Sequence, residues 1–391
     1  MLTINVSRLP TAGPARLRDS AGARPLPGRM RLLVVLGCLL GLAVNGYLKL
    51  PALSRIVHGD NDFMGFYAGA QLVASGELYN PEAITRAESR LWDTPRFLPF
   101  VRLPVYAAAI SPLRFFSYQR AYWIWQSVSL VAVLLFVYFW PGPRKWVTAM
   151  ACCWSMPLLE CFIMGRDLAV VMLALAVSLA LLFRGKHFAA GCVFSLCLIK
   201  YNLFLSIPLL IFGKRLWRFG GGLVAGATTL LAMSFAVGGW SWPWRYAAML
   251  GLPATTPSYD GMPNLHGLFS SLPRSVLMEP AGACVVMVAA WLAIRGGDIA
   301  RSVSATLVSG LLMSYHAFFG DAVILLPASL LLLSRAPSAP LRLVAIFVLC
   351  PLAYLPSLLP APPFPLAAVV LLPLLAVAAE EIISKDGAPL Q

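Results

Sequence analysis

The sequence predicts an all-α polytopic membrane protein, and this prediction rests on its composition and on the spacing of its apolar runs. Of the 391 residues, 59% are hydrophobic and only 12% are charged, whereas soluble domains average about 45–50% apolar and about 25% charged residues. Because one membrane helix needs about 20 apolar residues, a chain of this length has room for about ten to twelve of them. The composition excludes a soluble globular enzyme, a disordered chain and a secreted disulfide scaffold.

Apolar runs between short basic clusters mark the predicted membrane helices. The run 188–213 is broken at Lys200 and has cations at both ends, so we expect two short helices that rise and return with Lys200 at the apex. Residues 97–116 are short and interrupted by prolines, and we expect a re-entrant or interfacial element there. The remaining candidate spans lie near residues 32–52, 119–140, 147–163, 167–183, 219–239, 276–294, 302–316, 322–334, 341–355 and 366–380.

The net charge of +14 would suggest a nucleic-acid partner in a soluble protein, but here the cations lie in clusters between spans. This pattern sets orientation in a membrane, so we predict membrane lipid and no nucleic acid as a partner. A cleaved signal peptide is the rival interpretation of the N-terminus, but its basic stretch is too long. We expect a cytoplasmic tail over 1–31, one transmembrane domain over 32–382 and a cytoplasmic tail over 383–391.

Two predicted outer loops, 53–98 and 240–275, are long enough to build a site. In the first, apolar residues recur at helical spacing after Asp62, which predicts an amphipathic helix lying on the membrane surface with its apolar stripe down. Asp62 begins this helix, where free backbone N–H groups stabilise a carboxylate. A helix cap and a catalytic carboxylate are both open as interpretations of Asp62.

The polar residues that interrupt the apolar runs all fall on the predicted outer side. Ionisable groups at membrane depth are costly and usually mark a functional path, so their convergence predicts a polar cavity that opens outward. Plainer interpretations stay open: Arg166 can pair with its neighbour Asp167, Lys200 can reach toward lipid headgroups, and His266 can be structural. The residues concerned are Asp62, Arg166, Lys200, Asn264, His266, His316 and Asp321.

The eight cysteines all lie in apolar stretches, without the spacing of a zinc site or of a disulfide framework. We interpret them as small buried hydrophobic residues. No cluster with metal-ligand spacing is apparent in the sequence, and we predict no metal site.

Several strings, taken together and in order, resemble a known family. DFMGFYAGAQLVASGELYNPEA, which begins at Asp62, resembles the first-loop signature of glycosyltransferase family 87. This family has the GT-C membrane fold and includes polyprenyl-phosphate-mannose-dependent mannosyltransferases. LPFVRLPVYAAAISPLRFFSYQRAYWIWQ, the run broken at Lys200, MPNLHGL and SYHAFFGDAVILLPASLLLL resemble later elements of the family. The resemblance covers most of residues 30–335.

The resemblance implies an inverting hexosyltransferase that moves a sugar, with mannose expected, from a polyprenyl-phosphate donor to a hydroxyl of a lipid or glycan acceptor. It implies a bacterial inner (plasma) membrane protein whose active site faces the periplasm or exterior. Asp62 matches the family's first-loop aspartate and is the candidate base, with Asp60 as the second candidate. Lys200 and Arg166 would hold the departing phosphate, and His316 and Asp321 would orient sugar or acceptor. Tyr67, Asn264 and His266 complete the expected substrate-binding set, and no cofactor is expected.

Two other functions are compatible with the sequence. A transporter or flippase also uses broken helices with intramembrane charge, although the chain has no inverted repeat and has a long first outer loop. A membrane subunit without chemistry of its own is the third possibility, and the cluster of ionisable residues argues against it.

Overall fold

The computed structural model describes residues 27–91, 97–142, 144–252, 261–270, 272, 275–335, 338–358 and 364–386. Within these ranges the regular structure is helical and includes no strand. Most of the predicted basic tail 1–31, residues 387–391 of the C-terminal tail, and parts of both outer loops (92–96 and 253–260) lie outside the described residues. The tails and their predicted sides of the membrane therefore stay predictions.

The α-helices are numbered here in chain order. The first nine are α1 Gly28–Val57, α2 Phe63–Leu72, α3 Pro81–Ser89, α4 Pro104–Ile110, α5 Tyr118–Phe139, α6 Lys145–Trp154, α7 Met156–Ile163, α8 Leu168–Phe183 and α9 His187–Phe194. The others are α10 Ile207–Gly213, α11 Trp217–Gly238, α12 Trp242–Leu250, α13 Leu265–Phe269, α14 Ser275–Gly296, α15 Ile299–Met313, α16 Leu325–Arg335, α17 Ala339–Leu349 and α18 Leu366–Asp386. Short 3₁₀ segments continue several of these helices.

Six helical segments among the described residues are long and apolar enough to cross a membrane, and a seventh results if α6 and α7, bent by 67°, form one broken span. Four shorter apolar helices pack among them. The prediction of an all-α polytopic membrane protein is confirmed. The predicted ten to twelve spans are reached only if the shorter helices also cross. The six segments are Gly28–Leu48, Tyr118–Phe139, His187–Phe204, Trp217–Gly238, Leu277–Gly296 and Leu366–Ile383.

The broken run has the expected hairpin shape. A 3₁₀ segment, Ser195–Phe204, follows α9, and Lys200 inside it leaves helical geometry with φ −115° and ψ 51°. At the start of α9, the Phe188 carbonyl lies against Gly222 near the start of α11, and α10 ends just before α11 begins. Both arms therefore end at the same end of the bundle, with Lys200 at the apex, as predicted. The segment His187–Phe204 contains this break, so its count as a single crossing rests on length and composition alone.

Helix α15 connects the two ends of the bundle. Its first turn carries Arg301, and it ends beside Ser314, a length of about 22 Å at 1.5 Å per residue. Lys214, after α10, donates to the carbonyl of Arg295 near Arg301. We call the end with Lys214, Arg295 and Arg301 the basic end, and the end with Lys200 and Ser314 the site end.

Two apolar cores hold the fold together. The larger one lies inside the bundle and is built mainly from the leucine-, valine- and alanine-rich faces of α8, α15, α16 and α18. The smaller one lies at the site end, is formed partly by the first predicted outer loop itself, and is rich in aromatic rings: Phe63, Phe66, Tyr67, Phe100, Tyr106, Tyr118, Tyr122, Trp125 and Trp242.

The aromatic core corrects the prediction for α2. All residues from Phe63 to Ala70 are buried, so α2 does not present a polar face to solvent as an amphipathic surface helix would. Two glycines explain the difference, because neither leaves room for a side chain. The Leu98 carbonyl lies against Gly65, and the Phe100 ring lies against Gly69. The chain that follows α3 therefore covers the side of α2 that periodicity assigned to solvent.

Residues 97–116 do not form a span, in agreement with the prediction. The segment contains α4 and a 3₁₀ turn, Ser111–Phe115. Near its beginning Leu98 contacts Gly65, and at its end the Phe116 carbonyl accepts a 2.7 Å hydrogen bond from the Tyr67 hydroxyl. Both ends of the segment therefore lie against α2, and the segment enters and leaves on the same side.

Candidate active site

Asp62 forms an ion pair with Arg166, which lies 104 positions further along the chain. Asp62 occupies the N-cap position of α2, yet its side chain makes no capping hydrogen bond. The carboxylate accepts from Arg166 Nε instead. The interpretation of Asp62 as only a helix cap is therefore wrong, because its side chain is directed to a second element rather than to its own helix.

A tight turn between α7 and α8 delivers Arg166 to this position. Gly165 has a φ of +66°, a left-handed conformation that favours glycine, and the Phe63 side chain packs directly against it. The turn is held by hydrogen bonds from the Phe63 N–H to the Met164 carbonyl (3.2 Å) and from Trp125 Nε1 to the Gly165 carbonyl (2.9 Å). The start of α2 and the Arg166 turn are thus one packed unit.

Asp167 pairs with Arg102 rather than with its neighbour Arg166. The Arg102 guanidinium donates from Nε and Nη2 to the two carboxylate oxygens of Asp167 at 2.6 and 3.0 Å, a bidentate geometry that fixes orientation as well as charge. Both side chains are buried. The predicted alternative of an Arg166–Asp167 pair is therefore wrong, since each of the two residues has a long-range partner.

Sequence reasoning missed Arg102. It lies in the proline-broken segment 97–116, whose place in the fold could not be derived from apolar periodicity. A signal was nevertheless present, because Arg102 is the lone cation between Phe97 and Leu113 in an apolar run, as Lys200 is in its own run. The same argument from the cost of an ionisable group among apolar residues applies to both.

Lys200 pairs with Asp321 at the apex of the hairpin. Lys200 Nζ donates to Asp321 Oδ1 at 2.7 Å, and both side chains are buried. The second carboxylate oxygen of Asp321 accepts the Phe318 N–H at 2.8 Å. The pair therefore ties the broken helix to the 3₁₀ turn, Phe319–Ile324, that precedes α16.

The three ion pairs form one network with three positive and three negative charges. Arg166 lies within electrostatic reach of Asp321, Lys200 within reach of Asp167, and Arg102 within reach of Asp321. The charges balance, which is what makes their burial tolerable. The carboxylates differ in access: the Asp62 side chain is 28% exposed, whereas those of Asp167 and Asp321 are 1% exposed.

His316 and Arg166 keep polar atoms without hydrogen-bond partners at this network. His316 Nδ1 and Arg166 Nη1 are buried and make no hydrogen bond among the described residues. Phe318 lies against both, with its ring centroid 4.8 Å from Arg166 Cζ and 4.4 Å from that of the His316 ring. Burial lowers the pKa of His316 to about 4, so its ring is neutral at neutral pH.

The backbone around His316 is held by two asparagines. Asn202, just after the Lys200 break, donates to Ser314 Oγ at 2.9 Å and to the His316 carbonyl at 2.8 Å. Asn264 donates to the Ser314 carbonyl at 2.8 Å, and its side-chain oxygen caps α13. Asn264 therefore lies beside the site, with its amide nitrogen bound to the 314–316 turn and its amide oxygen bound to the first turn of α13.

Three other predicted site residues make contacts outside the network. Tyr67 is buried, and its hydroxyl is bound to the Phe116 carbonyl. His266 Nδ1 lies 2.8 Å from Glu279 Oε1 on α14. Asp60 pairs at 2.8 Å with Arg55, whose side chain is 74% exposed. The structure thus brings together Asp62, Arg166, Lys200, His316 and Asp321, and it gives the other three separate partners.

The arrangement can support chemistry on a neutral nucleophile. It offers one accessible carboxylate, buried cations beside it, and a neutral imidazole with an uncommitted ring nitrogen. Among the described residues no group of three or more His, Cys, Asp or Glu side chains is arranged to hold a metal ion. Metal independence stays a prediction.

The sequence model of glycosyltransferase family 87 matches residues 100–327, more than half of the chain. The chain belongs to glycosyltransferase family 87. It is therefore a membrane glycosyltransferase, as the resemblance implied. No curated protein and no solved structure matches the chain significantly. Within the matched region lie Arg102, Arg166, Lys200 and Asp321. Asp62 precedes the matched region, and its ion pair with Arg166 connects it to the family's part of the chain.

Proposed function

We propose that the protein transfers a sugar, mannose in the first instance, from a polyprenyl-phosphate donor to a hydroxyl of a lipid or glycan acceptor, with inversion. The observation that carries the proposal is the exposure of Asp62 within an otherwise buried, charge-balanced network. A general base must reach the proton that it removes. Of the three carboxylates in the network, Asp62 is the one that an acceptor can approach.

In the proposed reaction the acceptor oxygen attacks the anomeric carbon and forms the new glycosidic bond. The bond between the anomeric carbon and the phosphate oxygen breaks, and its electron pair leaves with the polyprenyl phosphate. The acceptor proton passes to the Asp62 carboxylate. One displacement of this kind inverts the anomeric centre. Asp60, the second predicted candidate for the base, pairs instead with the exposed Arg55, so we assign the base to Asp62 alone.

We propose that Arg166 stabilises the leaving phosphate. Its Nε is bound to Asp62, while Nη1 is buried and makes no hydrogen bond within the described part of the chain. A fixed cation with an unused donor in a water-poor site suits a growing negative charge. Lys200 uses one of its three N–H donors on Asp321, and we propose that it adds positive potential to the same phosphate. The neutral His316 would then bind a sugar hydroxyl through Nδ1.

The predicted orientation supports this assignment. Clusters of Lys and Arg lie at the basic end of the bundle, and the positive-inside rule predicts that this end faces the cytoplasm. The network lies at the other end, so we propose that transfer takes place at the periplasmic or outer face of the plasma membrane. Donor and acceptor would both arrive from the membrane or from that face.

The experiment uses the purified full-length protein in liposomes that contain radiolabelled polyprenyl-phospho-mannose and a lipid extract of the source membrane. Wild-type protein is expected to move the label into a new product with an inverted glycosidic bond. The matched control is Asp62→Asn in the same liposomes, which is expected to form no product. Label that stays on the donor with both proteins contradicts the proposed donor.

The same liposomes distinguish the transporter alternative. Movement of the labelled donor between leaflets without a new glycosidic bond would favour a flippase and contradict the transferase proposal. Product that forms only when a second membrane protein is added would favour the view that this chain is a subunit without chemistry of its own.

A further inference from the structure

Three tyrosines that the assigned chemistry does not use meet at the edge of the network. Tyr201 follows Lys200, Tyr315 precedes His316, and Tyr246 lies in α12. The hydroxyls of Tyr201 and Tyr315 lie 2.9 Å apart, and the Tyr246 side chain hydrogen-bonds to Tyr201. Three elements far apart in sequence therefore place three hydroxyls in one cluster.

This cluster is accessible, in contrast to the network beside it. Tyr315 is 50% exposed, and Tyr201 and Tyr246 are half-buried. The rings of Tyr201 and Tyr315 lie 6.4 Å apart and are tilted by 38°. Tyr79 supports the cluster from the aromatic core, since its ring meets that of Tyr246 edge-on at 5.3 Å. The three rings therefore form one aromatic surface that packs on the aromatic core, and their hydroxyl groups lie together on it.

A membrane-interface role explains these tyrosines less well. Interfacial tyrosines present an apolar ring to lipid and direct the hydroxyl to water. Here the hydroxyls bond to one another, and the cluster lies beside buried charges rather than on a lipid-facing helix surface. Tyr138 of α5, which is 69% exposed, has the exposure expected of a lipid-facing ring.

The aromatic surface and its clustered hydroxyl groups suit the binding of a pyranose ring. One face of a pyranose presents C–H groups, which suit the electron-rich face of an aromatic ring. Its edge carries hydroxyls that both donate and accept, as a tyrosine hydroxyl does. Ligand sites typically combine aromatic walls with a few convergent polar groups of this kind.

The position of the cluster indicates which sugar it would hold. Tyr246 and Tyr315 lie within electrostatic reach of Arg102, and His316, next to Tyr315, lies within reach of Asp62. The buried cations are the groups suited to the donor phosphate. The tyrosine cluster lies beside them, with Tyr315 exposed on the side where an acceptor would enter.

We propose that Tyr201, Tyr246 and Tyr315 form a subsite for the terminal pyranose of the acceptor. The proposal rests on the proposed function and narrows it, because the acceptor is then a glycoside rather than a bare lipid alcohol or a protein hydroxyl. None of the three tyrosines takes part in proton transfer or phosphate binding.

The test measures saturation-transfer NMR on methyl α-D-mannopyranoside with the full-length protein in lipid nanodiscs. Nanodiscs of phosphatidylcholine and phosphatidylglycerol are used because maltoside and glucoside detergents carry the same ring as the probe. Wild-type protein is expected to saturate the C–H protons of one ring face most strongly. Tyr315→Ala is expected to reduce the signal to that of empty nanodiscs, and Tyr138→Ala serves as the matched control with an unchanged signal.

Tyr315→Phe keeps the ring, so its effect on binding can be measured even if the alanine variant does not fold. It is expected to weaken probe affinity about fivefold, as for the loss of one hydrogen bond. In the transfer assay it is expected to raise the acceptor KM and to leave the donor KM and kcat unchanged, which a merely structural role would not do. Absence of a wild-type signal, or a signal that persists in Tyr315→Ala, overturns the subsite.

The proposed function and the subsite fail separately. Suppose that wild-type protein transfers sugar and Asp62→Asn does not, but the probe signal is the same in wild type and Tyr315→Ala. The transferase proposal then stands, and the subsite proposal is wrong. If the probe binds through Tyr315 but no transfer occurs with polyprenyl-phospho-mannose, the sugar subsite stands and the donor assignment is wrong.

Discussion

The two ends of the bundle both contain buried ion pairs, but only one has the features of a reaction site. At the basic end Arg301 binds Glu381 of α18 at 2.7 Å and approaches Asp298, whose side chain caps α15. Arg301 and Glu381 both lie within regular α-helices, α15 and α18. At the site end the pairs lie on irregular backbone: the left-handed Gly165 turn, the break at Lys200 and the 3₁₀ turn at Asp321.

The comparison teaches that a buried ion pair is not by itself evidence of function. A pair can simply lock two helices together, and such pairs add little net stability over apolar substitutes. What distinguishes the site end is that three ion pairs from separate chain segments converge there in one charge-balanced network, with Asp62 as its accessible carboxylate.

The largest effect is expected when the Lys200–Asp321 pair is broken. Asp321→Asn leaves Lys200 buried without its counter-charge, which costs about 3–5 kcal/mol for a buried pair. Sugar transfer is expected to fall by at least about a hundredfold, because the local cations lose their arrangement. Thermal unfolding followed by size-exclusion chromatography, together with the transfer assay, measures both effects.

The double variant Lys200→Met, Asp321→Asn separates stability from chemistry. Removing both charges is expected to restore most of the lost stability, while transfer stays low. If the double variant kept wild-type activity, the Lys200–Asp321 pair would have only a structural role, like the Arg301–Glu381 pair at the basic end.

A smaller and purely structural effect is expected at the basic end. Arg301→Met removes the cation that binds the buried Glu381 at 2.7 Å, and we expect a loss of about 2 kcal/mol, below the usual range because Arg301 is partly exposed. The activity of the folded fraction is expected to stay within about twofold of wild type, since the change lies far from the site. A hundredfold loss of activity per folded molecule would contradict the distinction between the two ends.

A pH dependence of stability, without a direct effect on the site, is expected in the first outer loop. Glu88 of α3 is buried, accepts the Leu98 N–H, and has a pKa raised by burial to about 8. The folded state therefore holds a proton that the unfolded state releases near pH 4.5, so stability is greatest at low pH and declines as pH rises toward about 8.

Glu88→Gln removes this titration but keeps an acceptor for Leu98. The unfolding temperature of the wild type is expected to fall more between about pH 5 and about pH 8 than that of the variant. Parallel curves for the two proteins would show that Glu88 is ionised in the fold.

Sequence reasoning was most successful for ionisable residues, because burying them in a membrane is costly. A cation in the middle of an apolar run is expensive, and this argument correctly identified Lys200 as the apex of a hairpin. The ion-pair partner of each buried charge could not be derived in the same way. Whether Arg166 meets Asp167 or Asp62 depends on how α2 packs on the Gly165 turn, a contact between segments about a hundred residues apart.

Two further features left weaker signals in the sequence. The burial of α2 depends on Leu98 and Phe100 lying against its glycines, and periodicity alone carries no information on such coverage. The tyrosine cluster carries no formal charge and has no helical repeat, and its members are spread over more than a hundred residues. Its hydroxyls meet only because the hairpin apex, α12 and the 314–316 turn pack at the same end.

We propose Asp62 as the reactive carboxylate of the site end, and a pair of variants tests this assignment. Transfer by Asp62→Asn and Asp60→Asn is measured in the same liposomes, with the unfolding temperature of each protein and with Asp62→Glu as the charge-preserving control. We predict a loss of at least about a hundredfold for Asp62→Asn, as for removal of a general base, and near-wild-type transfer for Asp60→Asn. An Asp62→Asn protein that keeps wild-type transfer would contradict the assignment of Asp62 as the base.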